Sequence, residues 1–159
     1  IHGGPDMADF GNILHGIIAA KFINQSFHID DVKALLNRSE MAAFISPEDA
    51  LMAAEHLKRH IDKHYPNAKY YAEYPVEQRL DNGQVVRGWI DLLIETDQGW
   101  IICDHKSSPK KKSELKKIAL EYSGQLKMYK DAVNAASNKP VLSTLIHFPV
   151  SSCIAEITL

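Results

Sequence analysis

The chain has 159 residues, 45% hydrophobic and 24% charged, which suits one soluble globular domain with a core of its own. Eighteen basic against twenty acidic residues leave a net charge of -2, which excludes a protein that coats nucleic acid by bulk charge; any such contact has to be local. The longest apolar runs, such as 89–94, are too short to cross a bilayer and are broken by Asp91, and no secretory signal opens the chain, so no membrane partner is expected.

The opening Ile1-His2-Gly3-Gly4-Pro5 has no methionine and reads as a cut from a longer protein. Phe10, Ile13, Leu14, Ile17, Ile18 and Phe22 then recur at helical spacing and define one apolar face. A short second helix is expected over 30–38. Ser46-Pro47-Glu48-Asp49 is a helix start, with a capping serine, a proline in the first turn and acids beside the positive end of the dipole; Leu51, Ala54, Leu57 and Ile61 continue it and Pro66 closes it. The period then changes. Residues 70–79 alternate loosely, and Pro75 marks an edge strand or a bulge. Asp81-Asn82-Gly83 is a hairpin turn, and strands follow over 84–96 and 100–107, joined at Asp97-Gln98-Gly99. A basic loop with Pro109 leads to one helix over 113–136, Lys139-Pro140 ends it, and strands over 141–150 and 153–159 finish the chain. The order predicts an α/β fold with a mixed sheet. Cys103 and Cys153 have no metal-ligand spacing and lie in apolar alternating runs, so both read as buried small hydrophobes in a reducing compartment.

The chemistry concentrates in Gly88-Trp89-Ile90-Asp91 and Ile101-Ile102-Cys103-Asp104-His105-Lys106. Alternation along a strand puts Asp104 and Lys106 on one face and Cys103 and His105 on the other. In an antiparallel hairpin, opposed residues have a constant index sum. A two- or four-residue loop centred between Asp97 and Gln98 sets Asp91 opposite Asp104. A three-residue loop with Gly99 in a left-handed conformation is equally compatible and shifts the register by one. An isolated Asp–Lys pair at a frayed hairpin end is an ordinary salt bridge. Two buried carboxylates beside each other repel, and a divalent cation is the usual remedy, with oxygen ligands suiting Mg²⁺ or Mn²⁺.

Gly88-x-x-Asp91, Asp104-x-Lys106 and Gln125-x-x-x-Tyr129, preceded by Gly11-Asn12-Ile13-Leu14-His15 and Glu73-Tyr74-Pro75-Val76, resemble in order the motifs of the RecB-like branch of the PD-(D/E)XK nucleases. The likeness is strongest to the nuclease domain that ends AddA- and RecB-type helicase–nucleases. It implies a restriction-endonuclease-like core with a central mixed sheet, flanking helices and an N-terminal helical segment, occupying 1–159 as a C-terminal piece of a larger bacterial, cytoplasmic, nucleoid-associated enzyme of recombinational repair. It implies that Asp91, Asp104 and Lys106 are catalytic. It also implies that His15, Asp91, Asp104 and the backbone carbonyl of His105 hold one or two Mg²⁺ or Mn²⁺ ions. Glu73 becomes an auxiliary group, and Gln125 and Tyr129 line the site or touch DNA. The expected partners are single-stranded DNA, a helicase motor in the same polypeptide and a second subunit. His105 stands where a tyrosine is frequent; only its backbone is expected to bind metal, so activity is still expected. Members with an iron–sulfur cluster carry four cysteines here, and two cannot supply them, so no cluster is expected. The alternative is a catalytically inactive RecB-like domain that binds DNA or another protein chain.

Read without that likeness, His15 is a rim residue of its helix, with Gly11 one turn earlier leaving room for a backbone or ligand. Gln125 and Tyr129 share a helical face, as boundary residues often do. His28, His56, His60, His64 and His147 show no partner spacing, and His56, His60 and His64 read as a solvated stripe. Lys110, Lys111, Lys112, Lys116 and Lys117 form the one dense basic cluster, either a solvated loop or a contact for the DNA backbone.

Overall fold

In the computed structural model, which describes residues 1–107 and 112–159 and of Lys112 the backbone, the chain builds its helical layer first. α1 (Met7–Ile23) is capped by the Asp6 carboxylate, which accepts from the backbone amides of Ala8 and Asp9. α2 (Ile29–Arg38) begins on a His28 cap box with Asp31. α3 (Pro47–His64) starts where expected, with Ser46 Oγ accepting from Asp49 N at 3.1 Å, a cap worth about 1 kcal/mol. Their apolar faces form one core: Phe10, Leu14, Ile17, Ile18, Leu57 and Ile61 lie fully buried, or nearly so, against Leu92, Ile94, Ile101 and Cys103 of the sheet.

The sheet has five strands in chain order: β1 (Lys69–Arg79), β2 (Val85–Glu95), β3 (Trp100–His105), β4 (Val141–Phe148) and β5 (Cys153–Glu156). β1, β2 and β3 form an antiparallel meander, β3 and β4 are parallel, and β5 returns antiparallel, so the sheet is mixed as expected. Pro75 sits on the edge strand opposite Trp89, where a residue without an N–H is tolerated. Gly83, at φ +82°, supplies the left-handed residue of the β1–β2 turn. The parallel β3–β4 pair needs a helical crossover, supplied by α4 (Lys112–Glu121) and α5 (Ser123–Ala136). These cover the second face, where Leu115, Ala119, Leu126, Tyr129 and Val133 meet Leu93, Ile102, Ile146 and Phe148. A mixed sheet between two helical layers is the restriction-endonuclease-like arrangement.

Several expectations are corrected. The single helix over 113–136 is two, broken at Tyr122 (φ -92°, ψ 1°), because apolar spacing runs on through the break while Gly124 weakens the helix beyond it. β4 stops at Phe148, since Pro149 cannot donate and opens a 3-10 turn, and β3 and β5 are shorter than expected. Cys103 is buried but Cys153 only partly so. The histidine stripe of α3 is exposed only at His64: His60 is half-buried, and His56 has a buried Nδ1 with no hydrogen-bond partner among the described residues. Among the described residues no helix is long and apolar enough to cross a membrane.

Candidate active site

The β2–β3 turn decides the site. Thr96 N donates to Gly99 O at 2.9 Å, leaving Asp97 and Gln98 as a two-residue loop, and Leu92, Leu93, Ile94 and Glu95 pair with Cys103, Ile102, Ile101 and Trp100. The three-residue alternative is not taken, and Gly99 is not left-handed. It is small for another reason: a Cβ there would collide with the Pro140 carbonyl oxygen and the Leu142 side chain. The register brings Asp91 and Asp104 to the same end of the hairpin, one step past the last ladder pair.

There the strands are deformed. The β1–β2 ladder keeps its register on both sides but skips the Glu73–Asp91 rung, and Glu73 sits at φ +49°. A left-handed non-glycine residue costs about 1–2 kcal/mol, so the surrounding sheet has to hold it. The distortion turns side chains over. Ile90 lies in the core under α4 and α5, whereas Leu92 lies under α1–α3. Asp91, between them, points toward α1, where His15 Nδ1 is 3.6 Å from its Oδ1. Its other oxygen accepts from the backbone N–H of His105 at 2.6 Å. His15, Glu73 and Asp91 each bring a ligand atom within 4.8 Å of the other two.

Asp104 is 2% exposed, and Lys106 Nζ lies 2.7 Å from its Oδ2. That contact is an ion pair without hydrogen-bond alignment; among the described residues Oδ2 accepts no hydrogen bond. Lys106 is held from three sides: by Asp104, by Gln125 Oε1 at 3.5 Å and by the Tyr122 ring, whose centroid is 4.2 Å away. Gln125 Nε2 donates to Tyr129 OH at 2.7 Å, which turns the amide oxygen toward the lysine. The break at Tyr122 therefore supplies a wall of the site. Gly88 makes room for this support, since a Cβ there would approach Tyr129 Cε1 to 2.8 Å and Met128 Cε to 3.3 Å. Tyr129 is buried and cannot swing away. Gly88→Ala is expected to lower stability by about 1–3 kcal/mol through overpacking, measurable by denaturant unfolding. An unchanged midpoint would mean the α5 face yields freely.

Electrostatically the two acids do not tolerate each other. Burial first, and the charge of Asp104 second, push the Asp91 carboxyl up to about 7, against the pull of the His105 N–H and Lys106. Burial also raises Asp104, with Lys106 opposing. Burial keeps His15 below its ordinary range, hence neutral and able to offer a nitrogen lone pair. The neutral His15 imidazole with the carboxylates of Glu73 and Asp91 is a donor set that fits a hard divalent cation, and among the described residues Asp104 stands beside this group rather than within it.

Of the other expected residues, Gly11 faces Ser107, and an alanine Cβ there would lie 3.8 Å from it, an ordinary contact. Lys116 and Lys117 are exposed on α4; Lys110, Lys111 and the Lys112 side chain lie outside the described residues. Glu73, expected to be auxiliary, stands in the cluster with His15 and Asp91. Reasoning on sequence missed His147, fully buried with its ring 5.2 Å from that of His105, which in turn lies 5.3 Å from His15. The parallel β3–β4 register creates that stack, and no local signal announces it.

The family model of the PD-(D/E)XK nuclease superfamily matches residues 3–153. A subunit of the ATP-dependent helicase/nuclease of Listeria welshimeri is 25% identical over 165 aligned positions, covering 98% of this chain and 13% of that protein. The protein of the same name from Oceanobacillus iheyensis is 26% identical over 97 positions, covering 58% of this chain and 8% of that one. The chain thus spans 13% or less of the length of these relatives. A solved structure described as that of SSO0001 aligns with 93% of this chain and 76% of its own at 16% identity, with a TM-score of 0.38.

Proposed function

The chain belongs to the PD-(D/E)XK nuclease superfamily, and from that membership we propose that it is a divalent-metal-dependent deoxyribonuclease that hydrolyses the phosphodiester bonds of single-stranded DNA. The observation that carries this reading is the half-buried Asp91 and the buried Asp104 with Lys106 alongside. Asp91, pushed toward protonation by burial and by the charge of Asp104, and Asp104, pushed the same way by burial, are acids that a bound cation would relieve. His15, Asp91, Asp104 and the His105 carbonyl would hold one or two Mg²⁺ or Mn²⁺ ions, with Glu73 as a further carboxylate beside His15 and Asp91. A divalent cation there supplies acidification of a bound water and polarisation of a phosphoryl oxygen.

The chain's own residues do the rest. The Lys106 ammonium, fixed by Asp104, Gln125 and Tyr122, is oriented to stabilise charge developing on the reacting phosphate. The His105 N–H fixes the Asp91 carboxylate, and α1 places the His15 ring. The names of the relatives support a further step, that this domain is the nuclease part of a bacterial helicase–nuclease with ATP hydrolysis belonging to a motor in the same polypeptide; on that reading it works in the cytoplasm in recombinational repair.

The test is direct. Purified domain with single-stranded DNA and Mg²⁺ or Mn²⁺ is expected to give cleavage that a chelator abolishes. Binding without cleavage would instead favour a non-catalytic domain that binds DNA or another protein chain. Neutralising Lys110, Lys111, Lys112, Lys116 and Lys117 together is expected to weaken DNA binding and flatten its salt dependence, by about 0.7 in slope for each single-strand phosphate no longer neutralised. Titrations at several salt concentrations measure this, and unchanged binding rules the patch out.

A further inference from the structure

On the β1–β2 ribbon, opposed residues share a face, and three rungs succeed one another on the side turned away from α5. The first is the skipped rung of Glu73 and Asp91, the second pairs Pro75 with Trp89, and the third pairs Glu77 with Arg87. Alternate residues of a strand lie about 7 Å apart, on the scale of one sugar–phosphate unit. The even-numbered Gly88 and Ile90 turn the other way, toward Tyr129 and the core under α5. Trp89 therefore projects into solvent on the same side as the Glu73 and Asp91 carboxylates, one rung from them, and it is 58% exposed. Among the described residues it has no hydrogen-bond, ring or cation partner. The second tryptophan is different: Trp100 is half-buried beside Tyr71, with its indole N–H donated to Ser137 Oγ at 2.7 Å.

A single exposed apolar side chain needs no explanation in general. This one is the bulkiest exposed apolar side chain among the described residues, sits two residues from Asp91 and presents a free π-face beside the site. The next rung adds no net charge, because Arg87 Nε is paired with Glu77 Oε2 at 2.8 Å. The strip thus offers stacking rather than electrostatic attraction, which is the way proteins hold unpaired bases without reading sequence. We infer that Trp89 is a stacking platform for an unpaired base of the strand whose phosphate lies at Asp91 and Asp104. This rests on the nuclease reading above and gives the site its preference for single strands, because a closed duplex keeps its base faces covered.

Trp100→Phe leaves Trp89 as the one tryptophan. In that background and in chelating buffer, oligothymidylate is expected to quench the tryptophan fluorescence, and closed circular duplex DNA is not. Trp89→Ala in the otherwise unaltered domain is expected to weaken oligothymidylate binding by roughly ten-fold or more. Trp89→Phe should restore most of it. The loss should be the same at every salt concentration, unlike that of the lysine variants. Equal affinity of Trp89→Ala and wild type, or equal quenching by closed duplex, overturns the platform. If the domain cuts DNA while Trp89 stays unquenched, the platform falls and the nuclease reading stands. Quenching and loss of affinity in a domain that never cuts would support the platform and remove only the hydrolytic reading.

Discussion

Lys106→Ala is expected to lower the turnover of DNA cleavage by about 10²–10³-fold, the scale on which removal of one preorganised charge stabiliser acts. Apparent affinity for single-stranded DNA should change far less, because one ammonium is only one of several cationic contacts. Geometry underlies the asymmetry. The ammonium is not a free surface charge: Asp104, the Gln125 amide and the Tyr122 ring hold it in place. Preorganisation of this kind acts on the transition state and adds little to ground-state binding. Asp104→Asn should be as damaging by a different route, since it removes the charge proposed to bind metal while keeping shape and burial. Single-turnover assays with circular dichroism as a folding control separate the two effects. A Lys106→Ala variant that is folded and cuts at the wild-type rate would remove the lysine from the mechanism and leave it a structural ion pair. Lys127→Ala is the matched control: that lysine is exposed and pairs only along its own helix with Asp131, so its loss should change nothing measurable.

Much of this arrangement was readable in the residues themselves, and the parts that were not share a cause. Helical spacing, the Ser46 cap and the Asn82-Gly83 turn are local signals, and each produced the element expected of it. The opposition of Asp91 and Asp104 hung on one ambiguous turn. Gly99 looked like a left-handed turn residue, but its smallness answers to Pro140 and Leu142, more than forty positions away. The same holds for Glu73, whose left-handed backbone makes sense only beside Asp91 and His15, and for His147, brought to His105 by a parallel pairing across the α4–α5 crossover. The break at Tyr122 escaped notice because apolar periodicity reports which face is buried and is blind to a bend that keeps the face in phase. Local chemistry names the residues; long-range contacts assign their partners.

Those contacts also set a cost on the metal-free protein, and Asp91→Asn should expose it. Because burial and Asp104 raise the Asp91 carboxyl from 3.8 to about 7, the folded state binds more protons than the unfolded chain between these values. Stability of the metal-free domain from this group is therefore greatest at low pH and declines as pH rises through the window. Asparagine stands in for the protonated acid at every pH. The variant is expected to unfold at higher denaturant than wild type at pH 8, by about 1–2 kcal/mol and at most about 4 kcal/mol, and to match it near pH 5. Comparing the two proteins at each pH cancels the opposite slope from His15, His105 and His147, whose burial lowers their proton affinity. Metal should reverse the order. Mn²⁺ binds the ionised acid in competition with the proton, so it should raise the wild-type unfolding midpoint more at pH 8 than at pH 5, and Asp91→Asn should respond weakly at both. A variant less stable than wild type throughout, with Mn²⁺ stabilising both proteins alike, would show that Asp91 is a structural hydrogen-bond acceptor for His105 and not a ligand. The opposite outcome, a more stable variant at pH 8 that ignores Mn²⁺, would mean that Asp91 is strained until a cation arrives, which would tie the stability of the apoprotein to the proposed chemistry.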